Sequence, residues 1–136
     1  MQKIITKELD LNGTKFKLET GKLALQADAA VMAQLGDTVV LATVATKPLT
    51  EDKGYFPLSV EYVEKHYASG RITPQKFIKR EGRPSEKSVL SGRAIDRSIR
   101  PLFPKDFQDS EVQVIITVLS FDGVNDPVLL AMNAAS

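Results

Sequence analysis

The sequence predicts an α/β chain of the α+β type, in which a run of strands comes before the first helix. Three observations predict it. A hairpin signal, Asn12-Gly13, sits between two alternating segments, Ile4 to Leu11 and Lys15 to Glu19. A β-branched run, Thr38-Val39-Val40-Leu41-Ala42-Thr43-Val44, follows the turn residues Gly36-Asp37. A later segment between Ser85 and Pro101 has helical spacing and both of its stops.

The elements then follow in order. The hairpin opens the chain. Alanine leaves Leu23 to Gln34 open between helix and strand, and the tight turn at Gly36-Asp37 favours a strand folded back on Thr38 to Val44. Lys47 to Gly54 is a loop, and Phe56 to Val63 alternates as a further strand, with Pro57 expected at its entry or on an edge. Tyr67 to Pro84 contains Gly70, Pro74, Gly82 and few apolar residues, which predicts an exposed, mobile loop. Such length is uncommon without a purpose.

Ser85 follows a proline and can cap a helix whose first turn carries Glu86, and Pro101 stops that helix near Arg100. Glu111 to Ser120 is a largely buried strand. Asp122 to Pro127 is a turn whose two aspartates serve its hydrogen bonds, and Val128 to Ala135 begins a helix that ends without a cap. The chain is therefore expected to be a piece of a longer protein.

Composition narrows the function classes. The 136 residues suffice for one domain, and 43% hydrophobic with 26% charged content is that of an ordinary globular protein. No stretch approaches the ~20 apolar residues of a membrane span, and the N-terminus lacks a secretory pattern, so a cytoplasmic location with no membrane partner is expected. Cysteine is absent, which removes disulfides and thiolate chemistry, and His66 is the single imidazole. A metal site is not expected, and His66 between Lys65 and Tyr67 reads as a surface residue rather than a base. No P-loop or dinucleotide glycine motif occurs.

The net charge of +1 conceals a segregation. Lys65 to Lys105 holds eleven basic and three acidic residues, +8 in all, while the remaining residues sum to −7. Within it, Arg93, Arg97 and Arg100 fall within about a 60° arc of one helix, opposite Ile95 and Ile99. The stripe is either a solvated face or a phosphate-binding one. Two features bear on that choice: Asp96 is the sole nearby acid, and Gly92 costs about 1 kcal/mol inside a helix, which implies a close approach there. Val89 and Leu90 lie on the arginine side, so that face is expected to be partly covered.

In the loop, Phe77-Ile78-Lys79-Arg80 is flanked by Arg71, Lys76 and Arg83. Cations beside an aromatic ring suit single-stranded nucleic acid, since charge follows the phosphates while the ring stacks on an unpaired base. The other reading is that Phe77 and Ile78 pin the loop to the core.

The string Phe77-Ile78-Lys79-Arg80-Glu81-Gly82-Arg83-Pro84-Ser85-Glu86, with Arg93-Ala94-Ile95-Asp96-Arg97-Ser98-Ile99-Arg100-Pro101-Leu102-Phe103, resembles the first RNase PH-like core of the bacterial polynucleotide phosphorylases. Leu18-Glu19-Thr20-Gly21, Gly36-Asp37-Thr38 and Tyr67-Ala68-Ser69-Gly70-Arg71-Ile72 extend the likeness across the chain. It implies an RNase PH-like core, a mixed sheet packed by helices, with residues 1–136 forming that first domain incomplete, or truncated, at its C-terminus.

The resemblance further implies a homotrimeric ring that degrades RNA (mRNA in the cell) from the 3′ end. Inorganic phosphate is the co-substrate and nucleoside diphosphates are released; the reaction can run in reverse. By that likeness the loop from Phe77 to Arg80 lines the entry for RNA and Arg93, Arg97 and Arg100 contact it further in; with Arg83 added from the charge around the loop, the expected RNA-binding residues are Phe77, Lys79, Arg80, Arg83, Arg93, Arg97 and Arg100. The resemblance also implies that catalytic residues and magnesium belong to a second core, with components of an RNA degradosome as partners. This sequence has Ile78 and Lys79 where the family usually has a second phenylalanine and a second arginine, which weakens stacking and replaces a bidentate fork by a point charge. Two other readings are a single-core RNase PH that trims tRNA 3′ ends and a non-catalytic RNA-binding subunit of an exosome-like ring.

Overall fold

The computed structural model describes residues 3–51, 53–72, 82–104, 107 and 109–136. Six strands, β1 (Ile5–Leu11), β2 (Thr14–Thr20), β3 (Ala29–Leu35), β4 (Thr38–Pro48), β5 (Leu58–Val63) and β6 (Ser110–Ser120), form one sheet in the order β1-β2-β3-β4-β6-β5. Every pairing is antiparallel except β5 with β6. The sheet is therefore mixed, and β5, with Pro57 at its entry, lies on an edge where a missing N–H is tolerated.

Helices α1 (Glu86–Ile99) and α2 (Pro127–Ala135) pack on the sheet, α1 mainly on β5 and α2 on β4 and β3. Along β6 the buried positions are Val112, Val114, Ile116 and Val118, the period of two that a strand with one covered face requires. They join Val40 and Ala42 of β4, Tyr62 of β5, Ile95 and Ile99 of α1 and Leu130, Ala131 and Ala134 of α2 in a single core. Among the described residues no helix is long and apolar enough to cross a membrane.

Local chemistry explains most boundaries. Asn12 and Gly13 both have positive φ, as the β1–β2 hairpin turn demands. Gly36, at φ 59°, turns β3 into β4, and a Cβ there would lie 2.9 Å from Asn125 Nδ2. That turn is locked to the loop before α2: Thr38, wholly buried, donates its hydroxyl to Asn125 O and accepts from Asp122 N. Ser85 caps α1 by accepting from Ser88 N at 3.1 Å, and Asp126 caps α2 by accepting from Val128 N at 2.9 Å.

Three expectations are adjusted. The strand expected over Leu23 to Gln34 is confined to Ala29–Leu35, because a turn closes from Ala27 N to Ala24 O and Asp28 accepts from both Thr46 N and Thr46 Oγ1. Those bonds give the Thr46 N–H of β4 to a side chain instead of to a backbone carbonyl of the preceding segment, and the ladder stops there. β4 runs on to Pro48 into the expected loop, since Thr46, Lys47 and Pro48 still pair with Val112, Glu111 and Ser110. Within Tyr67 to Pro84, His66–Ser69 forms a 3-10 turn that Phe121 N ties to β6's end through Ala68 O; the expectation of a mobile loop otherwise falls largely outside the described residues.

Asp122 and Asp126 do serve the turn's hydrogen bonds. The Asp122 carboxylate accepts from the backbone N–H groups of Asn125 and Val124 and from the Asn125 amide, which hold its pKa well below the usual range. A depressed carboxylate stabilises the fold fully above its unfolded pKa of about 4 and loses that contribution as pH falls through the lower folded value. Between pH 6 and pH 3, urea unfolding is therefore expected to show a smaller loss of stability for Asp122→Ala than for the parent chain.

Candidate nucleic-acid interface

Helix α1 presents two unlike faces because its apolar and cationic positions fall half a turn apart. Ser88, Ser91, Gly92, Ile95 and Ile99 are buried. Gly92 accounts for the close approach expected of it: a Cβ there would meet Val60 O of β5 at 3.4 Å and Tyr62 N at 3.6 Å. Ser88 donates its hydroxyl to Tyr62 O, so the helix is fastened to β5 by a hydrogen bond as well as by packing. The opposite face is thereby fixed outward.

On that outward face Arg93, Arg97 and Arg100 are all exposed, as the spacing predicts. Their surroundings differ. Asp96 is taken up by Arg100, whose Nε lies 2.6 Å from Asp96 Oδ1 and whose Nη2 lies 2.8 Å from Oδ2. Arg93 and Arg97 have no ion pair among the described residues, so their charge is left uncompensated there. Val89 and Leu90 share the face at 45% and 63% exposure, so the cover expected over them is not supplied by the described residues.

Arg83 lies beyond the helix start, on the wall of a cleft of about 530 Å³. Lys65, His66, Arg71 and Lys87 line the same cleft, with Glu64 as its one carboxylate among the described lining residues. Tyr62 forms part of the wall, and burial raises the pKa of its phenol, which stays neutral. The cleft is consequently cationic. Lys87 stands in the first turn of α1, ten residues or about 15 Å along the axis from Arg97 and about 80° around the helix from it.

Phe77, Lys79 and Arg80 lie outside the described residues. The structure thus brings Arg83 to the cleft and Arg93 and Arg97 to one open face, and commits Arg100 to internal contacts. Arg71 was legible in the sequence as a cation flanking the loop, whereas Lys65 and Lys87 were visible only in the charge count; what unites the three is their shared placement around the start of α1.

The mixed sheet with both helices on its core side and a basic crossover helix is an RNase PH-like fold. The fold matches a subunit chain in a structure described as the Archaeoglobus fulgidus exosome with RNA bound to the active site, at TM-score 0.63 and 21% identity over 98% of this chain and 49% of that one. The chain belongs to the 3′ exoribonuclease family, whose domain 1 matches residues 13–136. Relatives named polyribonucleotide nucleotidyltransferase include those of Pelagibacter ubique, 52% identical over 100% of this chain, and Nitrobacter hamburgensis, 58% identical over 95% of it. The chain spans about a fifth of the length of these relatives, 20% and 18% respectively.

Proposed function

We propose that this chain supplies the RNA-gripping surface in the first core of a phosphorolytic 3′-to-5′ exoribonuclease of the polyribonucleotide nucleotidyltransferase type. The observation that carries the reading is the pair of exposed guanidiniums of Arg93 and Arg97, without ion pairs among the described residues, on a helix that starts at a cationic cleft in a chain of this family. Residues 1–136 then form part of the first RNase PH-like domain.

In this reading the chain's own residues bind and orient the substrate rather than break bonds. Arg83, Arg93 and Arg97 attract successive phosphates, and Lys79, Arg80 and Phe77 engage the strand at its entry, the ring by stacking on a base. Guanidiniums suit the task because their planar forks match phosphate oxygens. In this reading, cleavage by inorganic phosphate, with the magnesium it uses, belongs to a second core. A homotrimeric ring in the cytoplasm, working on mRNA with degradosome components as partners, completes the proposal.

The test is a titration of a labelled single-stranded oligoribonucleotide at several salt concentrations, with a Lys79→Ala/Arg80→Ala variant shown by circular dichroism to be folded. Log affinity is expected to fall linearly with log salt, by about 0.7 per phosphate neutralised. The variant should bind more weakly with a slope shallower by about 1.4. Salt-insensitive or absent binding by the folded parent chain would contradict the reading.

A further inference from the structure

Arg100 is the member of the arginine stripe whose geometry differs from its expected role. Its fork meets Asp96 at 2.6 and 2.8 Å, while Nη1 donates to Phe56 O at 3.4 Å and Nη2 to Leu58 O at 3.3 Å. The guanidinium carbon also lies 5.9 Å from the centroid of the Phe56 ring. Phe56 in turn contacts Phe103 at 4.8 Å and Phe107 at 5.5 Å between centroids. One side chain therefore joins the end of α1, the entry of β5 and the aromatic cluster that follows the helix.

An RNA phosphate at this place would have to displace a bidentate carboxylate, and it would bring negative charge beside Asp96. Arg97 and Arg93, about one and two turns earlier, face no such competition among the described residues. The exposed ion pair by itself contributes little stability, but the two carbonyls and the ring give the fork a geometric task that an ammonium cannot perform. The last turn of α1 is held against β5, and with it the direction in which Arg97 projects.

We infer that Arg100 is a positioning residue: with Asp96 it clamps the C-terminal end of α1 to the entry of β5, and it leaves phosphate binding to Arg93 and Arg97. The inference rests on the RNA-binding reading above for its consequence, though the clamp itself is testable without RNA.

Two measurements on the chain separate the possibilities. In thermal unfolding, Arg100→Gln and Arg100→Lys should each lower Tm by about 3 °C or more, and Asp96→Asn, which leaves the carbonyl and ring contacts in place, by less. The Asp96→Asn/Arg100→Gln double variant should fall no further than the worse single one, because both substitutions break one clamp. In oligoribonucleotide titrations, Arg100→Lys and Arg100→Gln should both weaken binding a few-fold while keeping the parent's salt slope. Additive Tm losses, or a lysine that restores parental stability, would overturn the clamp. A slope that Arg100→Gln makes shallower by about 0.7 and Arg100→Lys preserves would make Arg100 a phosphate contact instead. If the parent chain shows no salt-sensitive binding, the RNA reading fails, and the unfolding data alone decide whether the clamp exists.

Discussion

Replacing Ile95 with alanine is expected to lower the unfolding free energy by about 2–5 kcal/mol, the range for emptying a large aliphatic site in a packed core. Ile95 is wholly buried on the face of α1 that meets β5, between the close approach at Gly92 and the second buried isoleucine, Ile99. Domains of this size are stable by roughly 5–15 kcal/mol, so the loss is a large fraction of the whole. Ile95→Val removes one methyl group and should cost about 0.5–1.5 kcal/mol. Urea unfolding measures both: the midpoint should shift in that order while the slope with denaturant stays constant. A near-neutral Ile95→Ala would mean that α1 is not anchored as described, and the outward aim of its arginines would lose its support.

The second large effect is on binding. Arg93→Ala/Arg97→Ala should leave Tm within a few degrees of the parent, since neither guanidinium has an ion pair among the described residues to lose, yet it removes two phosphate contacts. The log–log salt slope should become shallower by about 1.4, at about 0.7 per contact. Arg93→Lys/Arg97→Lys should retain that slope with weaker affinity, because the charge survives and the fork does not. Unchanged binding by the alanine variant would identify the stripe as a solvated face.

How much of this was legible depends on whether a feature is local in sequence. The Asn12-Gly13 hairpin, the Gly36-Asp37 turn, the Ser85 cap and the stop before Pro101 each rest on chemistry within a few residues, and each was readable. The fate of Leu23 to Asp28 was not, because the decisive partner of Asp28 is Thr46, 18 residues away on a neighbouring strand. The parallel pairing of β5 with β6 across the α1 connection likewise leaves no local mark.

The candidate site divides in the same way. Spacing alone put Arg93, Arg97 and Arg100 on one helix face, and the structure agrees. The i, i+4 relation of Asp96 to Arg100 was also available in the sequence. What the sequence did not show is that Arg100 completes its coordination on carbonyls 42 and 44 residues away, which is what distinguishes it from its two neighbours. Gly92 worked in the other direction: its helix penalty signalled a close approach, and β5 lies there.

The central claim, that RNA lies along the basic segment from Lys65 to Lys105, is tested most directly by photo-crosslinking. An oligoribonucleotide carrying photoreactive thiouridine would be irradiated with the folded chain, and the adducts mapped by peptide mass spectrometry. Adducts confined to peptides from this segment, including those that carry Arg83, Arg93 and Arg97, and suppressed by salt, are the predicted result. Adducts concentrated on the acidic remainder of the chain, or spread evenly over it, would contradict the account.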